Sequence, residues 1–214
     1  MTLSIGPLAA QSFTFNGHAY ELVQTQRNWA DAKADAASRS VGGEFGFLAE
    51  IGSQSENNAI FNELSTLLDA NALDDTTAPD GGGSAYIWLG ANDLDTEGTW
   101  LWDNSGDQFW DGGPSGSVVG GRYANWGKTG GTQNEPDNFD SGVPGFRSQN
   151  VGAIAMQDWP NGTAGQWNDL SENNTLFSLV EFNTVPEPSE FALFAGLAAL
   201  ILGLCRRRIR CQLP

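Results

Sequence analysis

Glu135-Pro136-Asp137 and, further along a Gly- and Asn-rich stretch, Trp167-Asn168-Asp169 are two short polar motifs that together carry three carboxylates and a carboxamide. Oxygen donors of this kind, with no thiol or imidazole among them, suit a hard cation. Calcium takes roughly six to eight such oxygens in a flexible shell. Either motif alone is an ordinary solvated turn. Their order in the chain and their surroundings carry the reading further, towards binding rather than bond-making.

Upstream stand Tyr86-Ile87-Trp88-Leu89-Gly90-Ala91 and Gly98-Thr99-Trp100-Leu101-Trp102. The apolar stretch Val151-Gly152-Ala153-Ile154-Ala155-Met156 separates the two motifs, and Phe177-Ser178-Leu179-Val180-Glu181-Phe182 follows them. In the front half, His18 to Val23 reads as a first strand. Trp29, Ala32 and Ala36 then recur at helical spacing and predict one face of a first helix. Ser53-Gln54-Ser55-Glu56 has the form of a capping box and opens a second helix, with Ile60, Leu64, Leu67 and Leu68 on its buried side. Gly112 to Gly131 reads as an expanded, mobile Gly-rich insertion.

This series of motifs resembles a C-type lectin-like domain over residues 12–183. The resemblance implies an α+β fold with two helices, small antiparallel sheets and a long calcium-binding loop region. It also implies a cis peptide bond before Pro136 and a principal calcium (Ca2+) site made by Glu135, Asp137, Gln149, Asn168 and Asp169. Two of these differ from the sugar-binding pattern, with Asp at 137 in place of Asn and Gln at 149 in place of Glu. The changes cancel, leaving the same three negative ligands for the cation. An auxiliary calcium site is implied at Asp93 and Glu97, with Asn138 where the pattern has Asp.

Sugar recognition is the stricter requirement. In the resembled family two adjacent sugar hydroxyls complete the calcium shell, and each needs one acceptor and one donor from the protein. Glu135 with Asp137 offers two ionised acceptors and no donor, whereas Asn168 with Gln149 offers two amides. Glu135-Pro136-Asp137 is a hybrid of the mannose-type Glu-Pro-Asn and galactose-type Gln-Pro-Asp turns, so specificity does not carry over. Carbohydrate binding is assigned to Glu135, Asp137, Asn168 and Asp169. Trp126 either stacks on a sugar face or anchors its loop from within.

The C-terminus carries a second pattern. Val185-Pro186-Glu187-Pro188-Ser189 is followed by the uncharged apolar run Phe191 to Cys205 and then by Arg206-Arg207-Arg208-Ile209-Arg210. This resembles the PEP-CTERM sorting signal of Gram-negative bacteria. The resemblance implies export, processing by an exosortase, and retention at the cell surface or in extracellular polysaccharide. Residues 184–190 are then a linker, 191–205 a membrane-spanning helix and 206–214 a basic cytoplasmic tail. Residues 1–11 read either as the remnant of an export signal, with the small-residue stretch Leu8-Ala9-Ala10 near its end, or as a disordered segment. The only cysteines are Cys205 and Cys211, so residues 12–183 contain no disulfide. The positions matching the bridges usual in the resembled family are Ala36 with Val180, and Val151 with a residue near Glu172. Small apolar residues there can pack instead.

Charge excludes one class of partner. All 26 acidic residues precede position 191, against six basic ones in the same span, a net of about −20. Nucleic acid binding needs a basic footprint that this span lacks. His18 is the sole histidine, and the sequence has no nucleophilic cysteine, Gly-x-Ser-x-Gly elbow or phosphate loop. The chain therefore reads as no enzyme. It is either a calcium-dependent carbohydrate-binding module or a structural and adhesion module that uses the same scaffold for protein contacts.

Overall fold

The computed structural model describes residues 11–183. The expected linker, apolar helix and basic tail, and most of the export-signal remnant, lie outside the described residues. Among the described residues no helix is long and apolar enough to cross a membrane.

The chain enters through a hairpin of β1 (Gln11–Phe15) and β2 (His18–Arg27). The turn between them is Asn16-Gly17, both at positive φ (50° and 83°), the backbone that a two-residue hairpin requires. β1 was not expected, and it takes Gln11 out of the presumed signal remnant. Its Phe13 stacks on Tyr20 of β2 at 5.0 Å.

α1 (Trp29–Ser38) forms where the apolar spacing predicts. Asn28 caps it by accepting from Asp31 N at 2.8 Å, and Trp29, Ala32 and Ala36 are buried. β3 (Ser40–Val41) and β4 (Glu44–Leu48) lead to α2 (Gln54–Leu67). Ser53 Oγ accepts from Glu56 N at 3.2 Å, as the capping box requires, but the Glu56 carboxylate returns to Gly52 N at 2.7 Å. Ile60, Leu64 and Leu68 are buried and Leu67 is half-buried. A third, five-residue helix, α3 (Ala70–Asp74), follows behind an Asp69 cap, one more than expected.

The strands that follow are β5 (Tyr86–Asn92), β6 (Thr99–Trp102), β7 (Gln108–Asp111), β8 (Ser117–Val118), β9 (Lys128–Thr129), β10 (Thr132–Gln133), β11 (Val151–Ala155), β12 (Trp167–Leu170) and β13 (Leu176–Phe182). Instead of several small sheets, eleven strands join in one, with the path β1-β2-β13-β5-β6-β7-β8; β11 branches from β5 and carries β12, and β4 branches from β13. β9 and β10 make a separate hairpin. The pairing of β13 with β5 is parallel. The Gly-rich segment 112–131 is tied into this framework by β8 against β7, by the β9–β10 hairpin, and by an Arg122–Asp107 ion pair at 2.6 Å.

β5 is buried on both faces, and its alternate residues feed two cores. Ile87, Leu89 and Ala91 enter one with Trp100, Trp102, Trp126 and Trp167; Tyr86 and Trp88 enter the other with Trp29, Ala36, Val151 and Val180. Gly90 has no alternative, because a Cβ there would lie 2.6 Å from Leu48 O. Ala36 and Val180 pack in the same cluster, as expected for an unbridged pair. Between them Gly46 leaves no space: a Cβ would meet Val180 Cγ1 at 2.6 Å and Ala36 O at 2.9 Å.

A candidate cation and sugar cleft

β12 carries Asn168, which lines a cleft of about 160 Å³, and its neighbour Asp169. Asp169 is fully buried beneath the Glu135-Pro136-Asp137 turn, where its two oxygens accept from Asp137 N (3.1 Å) and Asn138 N (2.8 Å). The Glu135–Pro136 peptide bond is cis. One carboxylate oxygen each from Glu135, Asp137 and Asp169 lies within 4.8 Å of the others. Two oxygens at about 2.4 Å from one calcium can be no further apart than about 4.8 Å, so the spacing suits a shared ion.

The electrostatics say the same. Burial, then the charge of Asp137, raises Glu135 to about 7. Burial and the Glu135 charge hold Asp169 well above the usual carboxylate range, and burial also raises Asp137. Among the described residues no basic side chain accompanies them, since Trp159, Asn161 and backbone amides are their partners. Two buried oxygens, Glu135 Oε2 and Asn168 Oδ1, have no hydrogen-bond partner at all. Unpartnered buried acceptors are costly, and a divalent cation would satisfy both.

Trp159, which the sequence reading did not single out, sets the Glu135 carboxylate. Its indole N–H donates to Glu135 Oε1 at 3.1 Å, leaving Oε2 free. The ring occupies a slot that only glycines permit. A Cβ on Gly162 would lie 2.3 Å from the ring, and one on Gly127 would meet Trp159 Cζ2 at 2.6 Å and Glu135 Cγ at 2.8 Å.

Gln149 does reach the cleft, but both ends of its amide are engaged. Oε1 accepts from Phe139 N (2.9 Å) and Nε2 donates to Asp80 O (3.1 Å). It braces the loop, with one lone pair left for a cation. Asn168 Nδ2 donates to the Tyr86 hydroxyl at 3.1 Å, which aims the unpartnered Oδ1.

Asn138, at φ 49°, ties this group to the auxiliary one. Its Oδ1 accepts from Gln149 N (2.8 Å) and its Nδ2 donates to Glu97 Oε2 (2.7 Å). Asp93 is buried, accepts from Gly98 N through Oδ2, and leaves Oδ1 without a partner. Burial raises Asp93 to about 7, with the Glu97 charge adding to the effect. The structure thus gathers Asp93, Glu97 and Asn138, with one lone pair of the Asn138 carbonyl oxygen already used.

Trp126 takes the second of its two alternatives. It is 1% exposed and packs edge-on against Trp100 at 4.6 Å and Trp167 at 5.9 Å, so it offers no face to a sugar. The aromatic ring that the cleft does expose is Phe139, 52% accessible and one of its lining residues. Its position two residues after the Glu-Pro-Asp turn was the available sequence signal.

A second cleft, of about 290 Å³, is lined by His18, Glu50, Glu56, Asp107, Arg122, Tyr123 and Glu181 among others. His18 Nδ1 meets Glu181 Oε1 at 2.7 Å, Glu50 N donates to Glu181 Oε2, and Tyr20 donates to Glu56.

The described residues as a whole match solved structures closely enough to decide the architecture. The fold is that of the C-type lectins. The C-type lectin CEL-I of Cucumaria echinata superposes with a TM-score of 0.55 at 20% identity, covering 84% of this chain and 100% of that one. The carbohydrate-recognition domain of the mouse scavenger receptor C-type lectin gives 0.51 at 20% identity, over 83% and 98% of the two chains. That of cow CD23, solved in the presence of a GlcNAc2Man3 oligosaccharide, gives 0.51 at 17%, over 84% and 98%. Among curated proteins, Halomucin of Haloquadratum walsbyi is 32% identical over 148 residues, 68% of this chain. The chain spans about 1% of Halomucin's length. No family model matches the chain.

Proposed function

We propose that this chain is a calcium-dependent carbohydrate-binding module. Glu135, Asp137, Gln149, Asn168 and Asp169 would hold the principal cation, and Asp93, Glu97 and Asn138 an auxiliary one. The carrying observation is the trio Glu135, Asp137 and Asp169, the first and last buried and Asp137 exposed, whose partners among the described residues are neutral donors, beside two orphaned acceptor oxygens. Calcium would supply positive charge there and an open coordination face for two adjacent sugar hydroxyls. Glu135, Asp137, Asn168 and Asp169 would meet those hydroxyls, and Phe139 offers an apolar surface to the sugar ring. The C-terminal pattern supports export, exosortase processing at the membrane and retention at a bacterial cell surface or in its polysaccharide. The role is binding; no group in the cleft is set up as a nucleophile.

One observation favours a second reading, adhesion through protein contacts with calcium only ordering the loops. Leu94, Phe139 and Val143 are all exposed on the loops that carry the cation residues. Retention of the full chain on immobilised polysaccharide, followed by elution with chelator, decides between them. Release by chelator, and loss of retention in Glu135→Ala and Asp169→Ala, is the expected outcome. Binding that survives both substitutions removes this cleft from the function.

A further inference from the structure

We infer that Asn161 is a specificity-determining residue of the cleft, donating to a sugar hydroxyl the hydrogen bond that the Glu135–Asp137 pair cannot donate. The inference rests on the carbohydrate reading and deepens it. Two ionised carboxylates accept and never donate, so a hydroxyl shared with Asp137 has to find its donor elsewhere.

The candidate donors are few. Asn168 Nδ2 and Gln149 Nε2 belong to buried side chains and are committed to the Tyr86 hydroxyl and to Asp80 O. Asn138 is not among the residues that line the cleft, and its Nδ2 donates to Glu97 at 2.7 Å. Trp159 Nε1 is buried against Glu135. Asn161 differs from all of them. It lines the cleft, is only half-buried, and its Nδ2 reaches Asp137 Oδ2 at 3.3 Å, long for an N–H···O bond. A hydroxyl entering between them would exchange that one long bond for two of ordinary length, accepting from Asn161 and donating to Asp137.

The residue is also held ready. Trp159-Pro160-Asn161-Gly162 is a tight turn closed by two backbone bonds between Trp159 and Gly162, at 3.1 and 3.2 Å. Asn161 O accepts from Asn134 Nδ2 at 2.9 Å, and the Trp159 indole fixes the turn's base in its glycine slot. The side chain is therefore presented on a braced loop and contributes nothing to the core. The ligand class that follows is a sugar with two adjacent hydroxyls on the cation, one of them shared by Asp137 and Asn161.

The test uses the full chain, mannose- and galactose-coupled agarose as probes, and a parallel calcium thermal-shift readout. Asn161→Ala and Asn161→Asp both remove the donor, the second while keeping the shape. Both are expected to lose about tenfold or more in affinity for the sugar that the wild type retains, while the calcium-induced rise in Tm persists. Wild-type sugar affinity in either variant overturns the inference and leaves the carbohydrate reading standing. Joint loss of the sugar and the calcium response also overturns it, since Asn161 would then act through the metal. A wild type that shows the calcium shift but is held by neither sugar defeats the carbohydrate reading and the inference together.

Discussion

The two acidic clefts of this molecule are made from the same materials and differ in one respect. Around Glu181, each carboxylate faces a partner: His18 Nδ1 and Glu50 N for the buried Glu181, Tyr20 and Gly52 N for the half-buried Glu56, Asn104 N and Ser105 N for the half-buried Glu50. Around Asp169, three carboxylates face one another, and Glu135 Oε2 and Asn168 Oδ1 are left over. The first arrangement is closed in that it leaves no buried carboxylate oxygen unpartnered, and its one orphan among the described residues is the Tyr123 hydroxyl. The second is stable only with its charge relieved, by protons or by a cation. Unmet hydrogen-bonding capacity, more than acidity, marks the functional candidate.

The largest effect is expected from breaking the open cleft at its base. In Asp169→Ala the turn loses the acceptor for Asp137 N and Asn138 N together with a proposed cation ligand. If the proposed site holds calcium, excess ion at about 100 times its Kd should stabilise the wild type by about 2.7 kcal/mol, several degrees in Tm. Asp169→Ala should show no calcium-dependent shift, measured by thermal unfolding with calcium and then with chelator. A retained shift would mean that the ion lies elsewhere.

The next test concerns pH in the closed cleft. Burial raises Glu181 from 4.5 to about 7, so the folded state holds its proton more tightly than the unfolded chain does. That contribution is fully present below about pH 4.5 and is lost as pH rises through 7, to the extent of about 3 kcal/mol. In chelator, Tm should therefore fall between pH 5 and pH 8, and Glu181→Gln should flatten part of that fall. A wild-type profile that rises over the same window would contradict the assignment.

Trp159→Phe probes the slot at smaller cost. It keeps the ring packed and deletes the charge-assisted bond to Glu135, worth about 1.5 to 3 kcal/mol. Calcium affinity by titration calorimetry should weaken about tenfold, with the chelated protein little changed. An unaltered affinity would show that Glu135 orients itself. The mildest change, Ser53→Ala, removes the α2 cap beside the closed cleft. A loss of about 1 kcal/mol, equal with and without calcium, is expected. An unequal loss would show that the two clefts communicate.

Much of the fold could be read directly. The apolar face of Trp29, Ala32 and Ala36, the Ser53 cap, and the strands at Ile87 and Trp167 all stand where pattern places them, because periodicity and capping are local. α3 was missed because five residues are too few to show a period. β1 was missed although Asn16-Gly17, a strong hairpin signal, lay in view. At the site, the carboxylates were legible as motifs. Trp159 and Asn161 were not, because their roles depend on contacts with residues 24 positions away, across a loop. The closed cleft was beyond reach for the same reason, with His18 and Glu181 separated by 163 positions. Trp126 reads identically as a sugar platform or a core anchor until its burial is known.

The pairing of β2 with β13 has a consequence for how such a unit can travel. Gln11 lies opposite Leu22, and Phe182 lies opposite Ala19, so the chain comes in and goes out within three residues of the same strand. A unit with adjacent doorways can be set into a host polypeptide as a cassette, asking the host to close only a short gap.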